Sequence, residues 1–349
     1  MEEYNGRQTI DWLYEEQLHV DDAWAVRTSN GFKWWPYKTA QTVEVIGKEI
    51  GPDGQHGFLI SVRTDFLRGV TLDEEILRYL GSILMPISAM CGPVYDEASG
   101  TLSLCSLVRV HKEISGWMNP LISLAAATQI SEAFHYARIV TDELDVKEAI
   151  SEHPSSGLRP EPDEIAGVFE SLIAPLGGLP CRWSHLEFAD VAASCGRGLP
   201  SLILKQGGAG VNLDFPFGDQ SSPCRLSGNF PHPVYGNGLF MLQSFPTPEM
   251  SEMAGIRLAL ELNRRELTRK PTGYGFGSYA YRDNSMHFAG FFPNLIYSSS
   301  LLPNLVYSCA ERSRVMSLTL DSENSFETYL MKMGPRENLV TPRSYDEPT

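Results

Sequence analysis

The chain has 349 residues and a hydrophobic content of 42%, so it is long enough for two domains with sizeable cores, and disorder is not expected. Its 28 basic and 43 acidic side chains give a formal charge of −15, which disfavours attraction to nucleic acid or anionic lipid. The sequence shows neither a basic-then-apolar N-terminus nor a run approaching the roughly 20 apolar residues that span a bilayer. We therefore expect a cytoplasmic protein with reduced thiols, and no nucleic acid or membrane partner.

The first half, residues 1–150, carries the patterns of a small α+β domain. Thr71-Leu72-Asp73-Glu74 is a capping-box pattern that predicts a helix start, and Pro86 is expected to kink or stop that helix because proline cannot donate to the helical ladder. The predicted elements are a helix at 8–18, strands at 23–26, 39–50 and 57–62, the helix from Thr71, a hairpin at 93–95 and 101–110, and a helix at 119–140.

A polar stretch rich in proline, residues 151–163, follows and is typical of a linker. We place the second domain at 164–320 and a partly disordered tail at 321–349. The predicted elements of this half are a helix beginning near 164, strands near 183–191, 199–205, 210–216 and 238–244, a helix from Thr247 to Arg269, a hairpin at 273–297 and a helix at 301–318.

An apolar pattern in the second half repeats one in the first. An offset of 184 places Met286, Phe288, Phe291 and Phe292 on Leu102, Leu104, Leu107 and Val108. Only three pairs in the aligned window are identical, Ser115/Ser299, Leu121/Leu305 and Ala126/Ala310, so the repeat is one of pattern, and coincidence is the alternative. Together these patterns predict an α+β fold of two tandem α-βββ-α-ββ-α units with antiparallel sheets.

Three short stretches, together with this order of elements, carry a family resemblance. They are Gly31-Phe32-Lys33-Trp34-Trp35-Pro36, the segment SEHPSSGLRPEPDE and Phe291-Phe292-Pro293-Asn294. The chain resembles the type III secretion chaperone-like fold, and more closely the YbjN-like or TY-Chap proteins of actinobacterial type, over roughly residues 5–318. The resemblance implies homodimers that hold a client segment. Fusion of two units in one chain implies a monomeric pseudo-dimer as the alternative to a homodimer.

Phe32, Trp34, Trp35 and Tyr37 form the candidate partner-binding cluster, because tryptophan and tyrosine are enriched where proteins bind proteins. The alternative is a strand start that packs inward beneath the first helix. Five of the six tryptophans lie in the first half, so aromatic binding is expected there.

Sequence motifs for chemistry are absent. The cysteines form no CxxC pattern and the histidines no HExxH pattern, so we expect no metal, cofactor or catalytic residue. The glycine-rich stretches 207–210 and 273–277 lack the context of a nucleotide-binding loop and are expected to form hairpin turns. Cys181, His185 and Asp190 could contribute to a site only if the fold brings them together.

Two functional hypotheses follow. The first is a non-enzymatic, chaperone-like interaction module that binds an extended or helical segment of a client protein, with an acidic surface that favours basic clients. The alternative is an enzyme or small-molecule binder with a site at the interface of the two halves.

Overall fold

The computed structural model describes residues 3–50, 56–167, 182–196 and 210–320, with backbone only at 195 and 196. Within these ranges the chain is α+β, with seven α-helices and two sheets whose paired strands all run antiparallel. No helix in these ranges is long and apolar enough to cross a membrane.

The first sheet has seven strands in the order β1-β2-β3-β4-β6-β5, with the short β7 also paired to β4. A long helix covers the face that carries Val43, Ile60 and Val62, all of which are buried. The strands are β1 (Ala25–Arg27), β2 (Gly31–Trp34), β3 (Gln41–Ile50), β4 (His56–Arg68), β5 (Gly92–Asp96), β6 (Thr101–Val110) and β7 (Lys147–Glu148).

The first half contains helices α1 (Arg7–Trp12), α2 (Glu74–Tyr79), α3 (Met85–Ile87) and α4 (Lys112–Glu143). Helix α1 continues as a π-helical turn, Leu13–Gln17, and a second such turn, Leu80–Leu84, joins α2 to α3. The N-cap of α2 is Asp73, whose carboxylate accepts the Ile76 N–H, and not Thr71 as the capping-box pattern predicts. The predicted stop at Pro86 agrees with α3, which ends one residue later.

The second sheet has five strands in the order β8-β9-β10-β12-β11, which matches β2-β3-β4-β6-β5 of the first sheet. Its strands are β8 (Gly210–Phe217), β9 (Gln220–His232), β10 (Gly236–Phe245), β11 (Ser278–Arg282) and β12 (Ser285–Pro293). Besides the helical residues 164–167, the described part of this half contains the helices α5 (His185–Gly196), α6 (Glu252–Thr268) and α7 (Leu301–Leu320). They precede β8, separate β10 from β11 and follow β12, so the described elements have the same order in both halves.

The predicted strand at 183–191 is wrong, because most of this stretch lies in helix α5. Ser184 and Glu187 form a reciprocal capping box in which each bonds the backbone N–H of the other, at 3.2 and 2.8 Å. Phe188, Val191 and Ala192 are buried at helical spacing. The second half also contains β9, which was not predicted, and the predicted strand at 199–205 lies outside the described residues.

The predicted linker is fixed to the first half by specific contacts. The Ser151 N–H donates to the Lys38 carbonyl at 2.8 Å, and the Asp163 N–H donates to the Pro36 carbonyl at 2.7 Å. Between them, the Arg159 guanidinium bonds the Trp35 carbonyl at 2.9 Å and pairs with Asp163 at 3.0 Å. Residues 151–163 therefore pack against the turn that follows β2.

The two halves meet along a surface that we call the seam. The Gly275 N–H donates to the Leu107 carbonyl, and the Phe291 N–H donates to the Ala89 carbonyl, both at 3.1 Å. Leu107 and Phe291 are equivalent under the offset of 184. Ala89 and Gly275 each lie three residues before the first strand of the following hairpin, β5 at Gly92 and β11 at Ser278. The two contacts join corresponding places in the two halves, although the loop residue donates in one and accepts in the other, so the seam is only approximately two-fold.

The glycine-rich stretch 273–277 contacts the first half at this seam and does not form the predicted hairpin turn. A Cβ atom on Gly275 would lie 2.4 Å from the Leu107 carbonyl oxygen and 3.1 Å from its nitrogen. Because both atoms belong to backbone, no side chain can move aside to make room. Glycine is required here so that the two backbone segments can approach closely.

We expect Gly275→Ala to lower the free energy of unfolding by about 1–3 kcal/mol, the cost of forcing extra volume into a packed contact. Urea unfolding followed by circular dichroism measures the change. Gly116→Ala is the matched control, since Gly116 is an exposed residue of α4 with no atom within 4 Å of an added Cβ. That change should stabilise the chain by roughly 0.5–1 kcal/mol. Equal effects of the two substitutions would contradict the role of Gly275 at the seam.

Candidate functional site

Three members of the predicted aromatic cluster are buried in the core. Phe32, Trp34 and Trp35 are each 2% exposed or less. The Trp34 indole N–H donates to Gln41 Oε1 and the Trp35 indole N–H to Ser151 Oγ, both at 3.1 Å. Their side chains have the inward packing that the alternative interpretation describes, and they present almost no surface to a partner.

Tyr37 is the one member of the cluster that retains substantial exposure. Its ring lies 6.1 Å from that of Phe134, a side chain of α4 that is 41% exposed. The two rings border a small cavity of about 40 Å³ beside residues 36–39. This cavity is too small to hold a large side chain of a partner peptide.

A larger opening lies in the second half, between helices α5 and α7, and we call it the α5/α7 groove. Its volume is about 770 Å³. The groove is lined by Ser184, Glu187, Asp190, Val191 and Ser194 of the α5 segment, by Leu302, Pro303, Val306, Tyr307 and Ala310 of α7, and by Phe215, Tyr297 and Ser299. The α5 residues 187, 190, 191 and 194 share one face because they follow helical spacing.

Much of the lining of the groove is apolar. Phe215, Leu302 and Val191 are buried, and they lie on β8, α7 and α5 respectively. Two large apolar side chains, Leu186 and Tyr307, are each 76% exposed on the helices that form the groove. Exposed apolar surface next to an apolar cleft is typical of a site for a protein segment or a ligand.

The groove also carries negative charge. Glu187 and Asp190 lie on its α5 wall, and no Lys or Arg is among its described lining residues. Burial raises the pKa of Glu187, but hydrogen bonds from the hydroxyl of Tyr297, at 2.6 Å, and from Ser184 outweigh burial and hold that pKa below its ordinary value. Glu187 is therefore ionised at neutral pH, and the groove favours a cationic ligand.

In the first half, the corresponding helices α1 and α4 are joined by a direct side-chain hydrogen bond. Ile10 and Leu13 of the α1 segment are buried in the core, and the Thr9 hydroxyl donates to Asn119 on α4 at 2.9 Å. On α5, the positions that face α7 include the polar residues Glu187, Asp190 and Ser194. Polar side chains on the inner face of α5 thus coincide with an open groove.

A second cluster of polar side chains is buried at the seam. Glu132 of α4 accepts hydrogen bonds from the Ala89 N–H at 3.1 Å, the Cys91 thiol at 3.1 Å and the Tyr235 hydroxyl of the second half at 3.0 Å. Burial raises the pKa of this carboxyl to about 7, although the three hydrogen bonds oppose the shift. With every donor itself buried, this cluster joins the halves and has no surface for a ligand.

His232 makes a further polar contact across the seam. Its Nδ1 accepts the N–H groups of Val234 and Tyr235, at 3.1 and 3.2 Å, so the ring proton lies on Nε2 and is donated to the Ile87 carbonyl at 2.8 Å. Burial lowers the pKa of His232 to about 4. The ring is consequently neutral and acts as a fixed hydrogen-bonding bridge.

The residues considered for catalysis do not form a site in the part of the chain that the structure describes. His185 is exposed at the start of α5, Asp190 faces the α5/α7 groove, and Cys181 lies outside the described residues. Within the described ranges, no three His, Cys, Asp or Glu side chains are placed to hold a metal ion.

Comparisons with models of protein families, with curated proteins and with solved structures give no match.

Proposed function

We propose that the chain is a non-enzymatic protein-interaction module whose α5/α7 groove binds an amphipathic segment of a partner protein. The observation that carries this proposal is an open apolar groove with two carboxylates and no cationic side chain among its described lining residues. A helix laid in an apolar groove is a common mode of peptide recognition. The partner segment would place apolar side chains over Phe215 and Val306, and Lys or Arg beside Glu187 and Asp190.

The proposal includes a tandem, chaperone-like architecture. Five strands of the first sheet have the same order as the second sheet, the described helices precede and follow the corresponding strands, and the seam joins corresponding places in the two halves. A chain of this kind would act as a monomeric pseudo-dimer, with the client segment bound to one half. The open groove lies in the second half, so we place the client there and not at the tryptophan-rich first half.

The α5/α7 groove also suits a second candidate function, the binding of a small apolar molecule. Its volume of about 770 Å³ falls within the range of roughly 300–1,000 Å³ that is typical of ligand pockets. This candidate differs from the site that was expected between the halves, because the groove lies wholly within the second half. A partner protein is favoured by the exposed side chains of Leu186 and Tyr307, which a small ligand leaves uncovered.

We expect a photo-crosslinking amino acid at position 307 to capture the partner segment in cells of the native host. The same amino acid at position 318 is the matched control, because Leu318 is also exposed on α7, at 71%, but does not line the groove. Mass spectrometry of the crosslinked peptide should identify a segment with apolar residues on one face and Lys or Arg beside them. Crosslinks to a second copy of this chain, or identical products from both positions, would contradict the proposal.

The identified segment, made as a peptide, then allows binding to be measured by calorimetry. We expect Tyr307→Ser to weaken binding about tenfold or more, as for the removal of an aromatic anchor, and Leu318→Ser to leave it unchanged. Glu187→Gln should weaken binding at low salt and reduce its salt dependence, because one charge pair is lost. Binding that is insensitive to both groove substitutions would exclude this groove as the site.

A further inference from the structure

Two cysteines from distant parts of the chain meet in the core of the second half. Cys224 of β9 and Cys309 of α7 are 85 positions apart, and their sulfur atoms are 3.5 Å apart. Both side chains are buried. Cys309 also lies 3.3 Å from the Met241 sulfur of β10, so three sulfur atoms are packed together between the sheet and α7.

This arrangement is close to that of a disulfide. The Cys224 thiol points at the Cys309 sulfur, since it donates its hydrogen bond there. A disulfide has a sulfur–sulfur distance of about 2.05 Å, so the sulfurs need to approach by only about 1.5 Å. Side-chain rotation and a small shift of α7 can supply that movement.

The environment explains why the pair is stable as thiols in the closed structure. The hydrogen bond to Cys309, and then burial, raise the pKa of Cys224 well above its ordinary value, so little thiolate exists at neutral pH. Oxidation therefore requires local opening of α7, which exposes the Cys224 thiol and returns its pKa towards the ordinary value. A small neutral oxidant such as a hydroperoxide has the best access to such a site.

We propose that Cys224 and Cys309 form a reversible redox site, in which a hydroperoxide converts the two thiols to a disulfide that fastens α7 to the sheet. One thiolate attacks the peroxide oxygen, the O–O bond breaks, and a sulfenic acid forms with release of water or an alcohol. The second thiolate attacks the sulfenic sulfur, the S–S bond forms, the S–O bond breaks, and water leaves. The two thiols lose two electrons and two protons, which the peroxide takes up.

The proposal is independent of the groove function but touches the same helix. Val306 and Ala310 flank Cys309 along α7, and both line the α5/α7 groove. A disulfide at Cys309 would hold that wall of the groove in place. Reduction would release it.

Hydrogen peroxide at mildly alkaline pH tests the proposal on the full chain with Cys181→Ser and Cys195→Ser, which removes the two cysteines whose side chains lie outside the described part. We expect a crosslinked peptide pair that contains Cys224 and Cys309 in a non-reducing digest, and its loss on treatment with dithiothreitol. Closure of a long loop should raise the thermal midpoint by about 5–10 °C. Cys224→Ala should abolish the crosslink and the shift, whereas Cys91→Ala should leave both intact.

Three outcomes would overturn the proposal: sulfinic or sulfonic acid at either position without a crosslink, persistent free thiols at both positions, or a crosslink between other cysteines only. If Cys224→Ala fails to give the native circular dichroism spectrum, peptide mapping of the chain that retains Cys224 still decides the question, because it identifies the bonded sulfurs directly.

Discussion

Replacement of Arg312 by methionine is expected to lower the free energy of unfolding by about 3–5 kcal/mol, the cost of leaving a buried charge without its partner. Arg312 of α7 is fully buried and pairs with Glu266 of α6 at 2.5 Å, with its guanidinium 3.6 Å from the ring centroid of Phe288. Burial alone lowers the pKa of Arg312, but the charge of Glu266 raises it above its ordinary value. Urea unfolding at neutral pH measures the loss.

Two further variants separate the charge from the packing. In Arg312→Met with Glu266→Gln, neither ion remains buried, and we expect most of the lost stability to return. Arg314→Met is the matched control, because Arg314 is exposed two residues further along α7 and also pairs with a glutamate, Glu311. It should leave unfolding unchanged within error. A double variant no more stable than Arg312→Met alone would show that the guanidinium acts through its packing.

The mixed α+β class and part of the order of elements could be predicted from local patterns, because apolar periodicity depends on near neighbours in the chain. The offset of 184 pairs Leu102 with Met286 and Leu107 with Phe291, and all four are buried at matching places in β6 and β12. Register within each sheet follows from the same alternation. The stretch predicted as a strand at 183–191 is helical because the capping box of Ser184 and Glu187 starts helix α5 there.

The location of the candidate site depends on contacts that no local pattern encodes. The buried indole N–H of Trp34 is satisfied by Gln41 on the neighbouring strand. The indole N–H of Trp35 is satisfied by the hydroxyl of Ser151, which lies 116 positions further along the chain. The α5/α7 groove exists because Val191 and Val306, far apart in sequence, are brought to facing helices. Residue composition identifies aromatic side chains but does not tell which of them reach the surface.

A signal for the buried seam cluster was present in the sequence but is visible only once the helix is known. Leu121, Ala125, Thr128 and Glu132 follow one stripe of α4, and all four are buried. A lone carboxylate in an apolar helical stripe indicates either a partner from another element or a shifted pKa. The structure shows both, because the partner is Tyr235 of the second half.

The pH dependence of stability is therefore expected to contain opposing contributions from the two seam residues Glu132 and His232. Between pH 4.5 and about 7 the folded chain binds a proton at Glu132 that the unfolded chain has released, so stability falls as pH rises through this window. His232, with a pKa lowered from 6.5 to about 4, binds its proton less readily in the folded chain. Its contribution makes stability fall as pH decreases through 6.5 towards 4.

Comparison of the wild-type chain with Glu132→Gln isolates the carboxylate, since His232 is common to both. We expect the variant to gain about 3 kcal/mol relative to wild type between pH 4.5 and pH 8, the free energy equivalent of the pKa shift. Chemical denaturation at a series of pH values measures this difference. The pKa values of three neighbours are raised, those of Cys91, Tyr235 and Tyr136. These groups remain neutral between pH 4.5 and 8 and so do not contribute to the measured difference in stability.

Glu113→Gln, on the same helix, provides a control of opposite sign. A hydrogen bond with His111 lowers the pKa of the exposed Glu113, so any stability that it contributes is lost as pH falls and not as pH rises. A difference between wild type and Glu132→Gln that stays flat from pH 4.5 to 8 would show that Glu132 does not titrate there. A rising difference would mean that the halves are held together more tightly in weakly acidic solution, because the protonated carboxyl carries no buried charge across the seam.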